Sequence, residues 1–122
     1  MNHFIKIKDI PASILRKIIN DAKKRKFKRK NLNILDPDKD INLKGKLLIQ
    51  MYEKSSLRTR LSFSVAIKQL HGGELTLRPN ELHLGKGTES LSDTAKIIST
   101  FGNAFMIRTD SDQKLEELKN YM

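Results

Sequence analysis

Residues 46–73 read KLLIQMYEKSSLRTRLSFSVAIKQLHGG, and this stretch decides the fold. Its first seven residues form a short, nearly continuous apolar run, which is typical of a strand buried on both faces of a parallel sheet. A polar segment follows, and apolar residues then return at helical spacing until Gly72 and Gly73, a pair that commonly ends a helix. The pattern predicts a strand, a polar turn and a helix in succession.

The same alternation continues on both sides of this stretch. Apolar residues at helical spacing predict a first helix over residues 10–27, with Pro11 tolerated in its first turn. Ser90 and Asp93 resemble a capping box at the start of a later helix, which Gly102 would end. The other predicted elements are a strand at 74–77, a buried strand at 104–107 and a helix at 113–121.

Alternating strands and helices imply an α/β fold with three layers, in which helices flank a mostly parallel sheet. A chain of 122 residues is the usual size of a single domain, so we assign residues 1–122 to one domain. In such a sheet the right-handed crossover rule brings the loops after the strands to one edge, where ligands bind. Arg58 and Arg108 both follow predicted strands and should lie at that edge.

The composition excludes several classes of protein. Hydrophobic residues make up 38% of the chain and charged residues 31%, and no apolar run is long enough to span a membrane. The sequence contains no cysteine, which excludes disulfides, thiolate metal sites and thiol nucleophiles. The N-terminus has no secretory signal pattern. We therefore expect a soluble, cytoplasmic protein without a membrane partner.

Most of the net charge of +10 comes from one basic block, KKRKFKRK at residues 23–30. A run of this density could neutralise several phosphates, so a nucleic-acid-binding module is one alternative function. However, only Phe27 interrupts the block, no base-reading motif surrounds it, and charge runs are usually solvated helix faces. The sequence alone therefore disfavours nucleic acid as a partner and leaves the role of the block open.

The polar turn SSLRTR at residues 55–60 has the chemistry of an anion site. It lies between a predicted strand and a predicted helix, so its backbone N–H groups and hydroxyls meet the positive end of the helix dipole. Two arginines add forked, charged donors that match a phosphate. The alternative is that a serine only caps the helix and the arginines are solvated.

Residues 52–63, YEKSSLRTRLSF, resemble the carbamoyl-phosphate signature of ornithine carbamoyltransferases, a Ser-x-Arg-Thr-Arg followed by Ser-Phe. Leu57 and the segment MIRT at 106–109 favour the ornithine branch, whereas a loop one residue longer than in many ornithine members is also compatible with aspartate relatives. Further segments fall in the family's order: QLHGG at 69–73, Leu84-Gly85 and SDTA at 92–95.

The resemblance implies a reaction in which an amine attacks the carbamoyl carbon and phosphate leaves, without a cofactor, a metal or a covalent intermediate. Arg58 and Arg108 are then the candidate catalytic residues, and Arg60 supports the turn. His83 and Lys86 lie in a loop that resembles the family's cross-subunit contact, although each alone would be an ordinary surface residue. The implied ligands of carbamoyl phosphate are Ser56, the backbone of Leu57, Arg58, Thr59 and Arg108.

The resemblance covers about residues 46–110, and neither a His-Pro-x-Gln segment nor a Cys-Leu-Pro motif follows it. We therefore expect a truncated carbamoyl-phosphate-binding domain, without the amino-acid-binding second domain, that binds carbamoyl phosphate or phosphate but does not catalyse carbamoyl transfer alone. The expected partners are further copies of the chain, a trimer by resemblance, and a separately encoded second half is a further candidate. A ligand-free interaction protein is the remaining alternative, and the acceptor amine stays open between ornithine, aspartate and another amine.

Overall fold

The computed structural model describes residues 3–40, 42–78 and 90–122. Within these ranges three strands form one parallel sheet in the order β2-β1-β3, where β1 is Leu47–Tyr52, β2 is Gly73–Leu77 and β3 is Ala104–Arg108. Four α-helices accompany them: α1 Ala12–Lys28, α2 Leu57–Gln69, α3 Leu91–Phe101 and α4 Asp112–Lys119. A short 3-10 turn at Ile7–Asp9 precedes α1. The predicted α/β class and parallel sheet are confirmed.

The central strand β1 carries most of the core. It hydrogen-bonds to a parallel neighbour on each side, and its residues from Leu48 to Met51 are all buried. Met51 and Gln50 are completely inaccessible to solvent, at 0% exposure. This burial on both faces explains the nearly continuous apolar run that marks β1 in the sequence.

The connections place helices on both sides of the sheet. The chain passes from β1 through α2 to β2, and then crosses back over β1 through α3 to reach β3. Because these two crossovers run in opposite directions, the right-handed rule assigns α2 and α3 to opposite faces. α2 packs on β2, whereas α3 packs on β3 and on α4. The result is the predicted three-layer arrangement.

The third strand differs from the prediction of a fully buried strand. Ala104 and Arg108 at its ends are exposed, and Phe105, Met106 and Ile107 are only half-buried. Within the part of the chain that the structure describes, β3 is an edge strand with β1 on one side only. Although the segment AFMI is as apolar as β1, its side chains are therefore less buried than those of β1.

Local capping fixes where α3 begins and ends. The Ser90 hydroxyl accepts a hydrogen bond from the Asp93 backbone N–H at 3.2 Å, as an N-cap should. The Asp93 carboxylate accepts from the same hydroxyl at 2.8 Å, instead of from the Ser90 backbone as in a full capping box. Gly102 ends the helix by donating its N–H to the Ile98 carbonyl at 2.9 Å. The predicted boundaries are confirmed.

The basic block continues α1 and ties it to the following connection. Arg25 binds Asp38 at 2.9 Å and Asp40 at 2.7 Å, and Arg29 binds Asp38 at 2.6 Å. Arg29 also donates hydrogen bonds to the backbone carbonyls of Asn33, Ile34 and Asp36. Two of the seven cations of the block therefore organise the fold, a role that the sequence analysis missed.

The connection between α1 and β1 is anchored on its other side to the end of α2. The Asp38 N–H donates to the Gln69 carbonyl at 2.9 Å, and the Gln69 side chain donates to the Ile34 carbonyl at 2.7 Å. Farther along, the Leu43 N–H donates to the Leu70 carbonyl at 3.1 Å. A segment that reads as a polar linker is thus held at several points by defined hydrogen bonds.

Two apolar surfaces stay open to solvent. On α1, the side chains of Ile14, Ile18 and Ile19 are 47%, 50% and 46% exposed, although their spacing is typical of a core-facing stripe. A groove of about 580 Å³ lies among the connection before β1, α2 and the start of β3, with Leu47, Phe63 and other apolar side chains in its lining. In the described residues, no helix is long and apolar enough to cross a membrane.

The ion pairs of Asp38 predict a sensitivity to acid. Burial by itself would raise the pKa of Asp38, but hydrogen bonds and charges from Arg29 and Arg25 outweigh it and lower the pKa below the usual value. Such a carboxylate stabilises the fold above its unfolded pKa and loses that contribution as the pH falls through the folded pKa. The free energy of unfolding should therefore drop from about pH 4 downwards.

Asp38→Asn should lower the free energy of unfolding by about 2 kcal/mol at neutral pH and weaken its dependence on acid, because an amide does not titrate. Asp9→Asn is the control, since Asp9 makes no ion pair with the described residues. Denaturant unfolding at a series of pH values measures both variants. An Asp38→Asn variant with the full wild-type slope would contradict this origin of the acid sensitivity.

Gly102→Ala should destabilise the fold by about 1–3 kcal/mol because α3 passes too close to the buried strand for a methyl group. A Cβ at position 102 would lie 2.8 Å from Cδ1 of Ile49, a side chain that is buried in the core. Gly73→Ala is the control, since its added Cβ would meet Leu47 at an ordinary 3.6 Å. Equal stability of the two variants in thermal unfolding would contradict the prediction.

Candidate anion-binding site

The carboxyl ends of β1 and β3 meet beside the turn that the sequence singled out. Tyr52, the last residue of β1, is in register with Arg108, the last residue of β3. The Glu53 N–H continues the pairing by donating to the Arg108 carbonyl at 2.9 Å. Since β1 is the central strand, the turn after it occupies the middle of the sheet edge, where ligands of such folds bind.

The turn leads directly into the positive end of α2. Ser56 is the N-cap residue, but its side chain makes no capping hydrogen bond. The first turn of α2 contains Arg58 and Arg60 and no acidic residue. Cations at a helix N-terminus are unfavourable because they add to the positive end of the dipole. An anion bound by both the free N–H groups and the arginines would offset this unfavourable charge.

Arg108 reaches the turn from the neighbouring strand. Its guanidinium Nη1 donates a hydrogen bond to the Ser56 hydroxyl, across 52 residues of sequence. Arg58 is exposed and makes neither a hydrogen bond nor an ion pair with the residues described in this structure, so its side chain can reach a ligand. Thr59 is half-buried, and its carbonyl accepts from the Ser62 hydroxyl at 2.8 Å.

Glu53 braces the strand end that carries Arg108. Its carboxylate accepts hydrogen bonds from the hydroxyl of Thr109 and from the ammonium group of Lys114, which lies on α4. With the backbone bond to Arg108, three contacts therefore join the end of β1 to the end of β3 and to the helix that follows. The Glu53 carboxylate is thus neutralised by Lys114, which reduces its repulsion of an anion in the turn.

A second ion pair lies at the same edge. The Lys54 ammonium group is 3.0 Å from the Asp110 carboxylate. The hydrogen bond from Lys54 holds the pKa of Asp110 below its usual value. Both partners are exposed, so this pair contributes little to stability. It does show that the loops after β1 and β3 approach each other closely.

A cleft of about 300 Å³ opens on the β2 side of the turn. Tyr52 forms part of its lining, and the hydroxyl of Tyr52 donates to the Gln50 amide oxygen at 2.7 Å. Burial raises the pKa of Tyr52, which keeps this hydroxyl protonated, although Arg60 and Arg108 oppose the shift. The other lining residues are Lys54, Ser55, Ser56, Leu57, Arg60, Thr76, Leu77 and Arg78.

Most of the predicted site residues lie around this turn, but only some of them line the cleft. Ser56 and Leu57 line the cleft, whereas Arg58 and Thr59 do not, and Arg108 approaches Ser56 from the β3 side. Lys54, Arg78 and the brace at Glu53 also lie at this edge of the sheet and were not predicted from the sequence. Lys54 and Arg78 each come shortly after a strand, the criterion that picked out Arg58 and Arg108. His83 and Lys86 lie outside the described residues.

Comparisons with known proteins identify the family of the chain. Residues 2–122 match the model of the aspartate/ornithine carbamoyltransferase family, in its carbamoyl-P binding domain. The match spans nearly the whole chain, and the chain therefore belongs to this family. Within the part of the chain described here, no group of three His, Cys, Asp or Glu side chains could hold a metal ion.

The chain is 40% identical over 121 residues to an ornithine carbamoyltransferase from Brucella ovis, covering 99% of this chain and 37% of that relative. Among solved structures, the ornithine carbamoyltransferase from Pyrococcus furiosus superposes with a TM-score of 0.86 at 32% identity, over 98% of this chain and 36% of the other. The catalytic subunit of M. jannaschii aspartate transcarbamoylase has a TM-score of 0.78 at 27% identity, over 99% and 39%. The chain thus spans little more than a third of these relatives.

Glu53→Gln should lower the free energy of unfolding by about 1–2 kcal/mol, because a neutral amide weakens the contacts with Lys114 and Thr109 that brace β3 and α4. Glu116→Gln is the matched control: Glu116 also pairs with lysines, but its side chain is 45% exposed, and the loss should be close to zero. Urea unfolding of both variants measures the difference. Equal losses of unfolding free energy in the two variants would show that the contacts of Glu53 do not stabilise the fold more than an exposed ion pair does.

Proposed function

We propose that this chain binds carbamoyl phosphate through the turn at residues 55–60 and Arg108. The observation that carries the proposal is the N-terminus of α2, where Arg58, Arg60 and Arg108 gather without an acidic residue in the first turn. Ionised phosphate oxygens fit this environment because the backbone N–H groups and the arginines all donate hydrogen bonds. Membership of the carbamoyltransferase family supports the same ligand.

Each proposed ligand has a distinct part in binding. The N–H groups of Leu57 and its neighbours would take phosphate oxygens at the end of the helix dipole. Arg58 would fold over the phosphate, since it is exposed and unengaged within the described residues. Ser56 would be held in position by Arg108, whose remaining N–H groups would approach both the phosphate and the carbamoyl oxygen.

In carbamoyl transfer, the amine nitrogen forms a bond to the carbamoyl carbon while the bond from that carbon to the phosphate oxygen breaks, and the nitrogen gives up one proton, which the leaving phosphate can accept. Negative charge moves onto the leaving phosphate, so Arg58 and Arg108 would stabilise the transition state by forked hydrogen bonds. The two residues are proposed as catalytic on this basis. They stabilise the leaving group and do not activate the amine, which requires groups outside the described site.

We further propose that the 122 residues bind carbamoyl phosphate without completing the transfer. The chain spans 37% of the Brucella relative, and the acceptor amine would be held by a second half, in the same polypeptide or in a separate chain. The open apolar groove beside α2 and the exposed isoleucines of α1 support a covering partner of this kind. Ornithine is the proposed acceptor, as the relatives' names indicate.

Self-association is part of this proposal. The aspartate and ornithine relatives suggest a homo-oligomer, a trimer by resemblance, in which His83 and Lys86 of one copy would contact the phosphate site of another. A cytoplasmic location and a role in arginine biosynthesis are proposed with it, the first on the cysteine-free composition. A ligand-free interaction protein remains the competing function, favoured only by the open apolar surfaces.

Arg58→Ala should weaken binding of carbamoyl phosphate by about 2 kcal/mol, roughly thirtyfold in the dissociation constant, because it removes a forked contact. Lys68→Ala is the control, since it removes a cation from the last turn of the same helix, at the opposite end from the proposed site. Isothermal titration, with inorganic phosphate as competitor, measures both variants. No saturable binding to the wild type at millimolar ligand would favour the interaction protein.

A further inference from the structure

The basic block is divided between two sides of α1. Arg25 and Arg29 lie one turn apart and face the acidic connection, where Asp38 and Asp40 neutralise them. Phe27 is two residues from each arginine, which places it about 200° around the helix from both. Its side chain is 77% exposed. The arginine side therefore serves the fold, and the Phe27 side is presented to solvent.

The Phe27 side of α1 combines positive charge with an absence of carboxylates. At about 100° per residue, four cations of α1 fall within about 80° of Phe27 around the helix axis. Lys30 follows just after the end of the helix, and all five cations are exposed. The acidic residue of α1, Asp21, lies outside this sector and pairs with Arg25 at 2.9 Å. The basic ridge, as we call this side, consists of Arg16, Lys17, Lys23, Lys24, Phe27 and Lys30.

We propose that the basic ridge binds single-stranded nucleic acid through its phosphate backbone, with Phe27 as a stacking platform for a base. Neighbours three and four residues away surround Phe27 with lysines, and an exposed aromatic among cations is the arrangement that binds single strands without sequence preference. The ridge runs from Arg16 to Lys30, about 20 Å, so it can lie beside several successive phosphates.

An anionic membrane fits this surface less well. A helix that lies on a bilayer buries an apolar face and keeps its lysines beside that face. In α1 the apolar residues Ile14 and Ile18 lie on the arginine side, about 180° from Phe27 for Ile18. Ile19, which is 46% exposed, lies at the border of the ridge, about 80° from Phe27. The ridge therefore offers a bilayer two apolar side chains, whereas it offers a phosphate chain five cations. Charge complementarity therefore favours a hydrated polyanion.

The fold also holds the ridge in a fixed orientation. The ion pairs of Arg25 and Arg29 fasten the end of α1 to the connection, and the Asp38 N–H fastens that connection to the Gln69 carbonyl. The Lys30 N–H donates to the Phe27 carbonyl at 3.2 Å, which holds the Lys30 backbone in a turn directly after the helix. A preorganised row of cations loses less entropy on binding than a flexible basic tail would.

Fluorescence anisotropy with a labelled 20-nucleotide oligouridine tests the proposal on the whole 122-residue chain. We expect saturable binding. The logarithm of the association constant should fall linearly with the logarithm of the salt concentration, with a slope of about 0.7 for each phosphate neutralised. The triple variant Lys23→Ala/Lys24→Ala/Lys30→Ala should bind at least tenfold more weakly, with a shallower salt slope. The control Lys39→Ala/Lys44→Ala/Lys68→Ala has the same net charge and should match the wild type.

Phe27→Ala separates stacking from charge. It should weaken oligouridine binding about tenfold and leave the salt slope unchanged, because it removes no cation. Equal losses in the two triple variants would overturn the ridge as the site. Unchanged affinity of Phe27→Ala, or binding of phosphatidylserine vesicles without binding of oligouridine, would overturn a single-stranded partner. Carbamoyl phosphate titration of each variant reports separately on the sheet-edge site and on folding.

Discussion

The burial of β1 between two parallel neighbours is the constraint on which the other features depend. A strand with no exposed face must carry mostly apolar side chains, with any buried polar group hydrogen-bonded, and must have a neighbour on each side, which forces the chain to cross over it once. The turn after β1 then has to lie in the middle of the sheet edge, with the ends of β2 and β3 beside it. Ser56 and Arg108, 52 residues apart in sequence, meet because of this topology.

The parts of the fold that depend on local chemistry could be predicted from the sequence. The apolar run of β1, the glycines after α2, and the Ser90 and Gly102 signals of α3 each act within a few residues. The burial of β3 could not be predicted in this way, since it depends on what lies beside the strand. The same holds for Arg25 and Arg29, whose partners come from a connection that reads as a polar linker.

In the candidate site, too, the features set by local sequence were predictable and those set by distant partners were not. The turn at residues 55–60 was recognisable because phosphate chemistry and the helix terminus coincide within six residues. The brace formed by Glu53, Thr109 and Lys114 was not recognisable, because its members come from three separate segments. Lys54 and Arg78 nevertheless follow the ends of strands, as Arg58 and Arg108 do, so a position shortly after a strand also predicts these two residues.

The polar group at the centre of β1 has a consequence for how the strands find their alignment. Gln50 is completely buried, and its amide donates to Glu74 on β2 at 2.6 Å and accepts from Tyr52. Sliding β2 by one residue would turn Glu74 to the other face, and sliding it by two would carry the carboxylate away along the strand. Either shift removes the charged acceptor and leaves the amide nitrogen with only its longer hydrogen bond to the Ser64 hydroxyl, at 3.3 Å, a loss of about 1–3 kcal/mol. The hydrogen bond between Gln50 and Glu74 therefore favours one alignment of β1 with β2 over its neighbours.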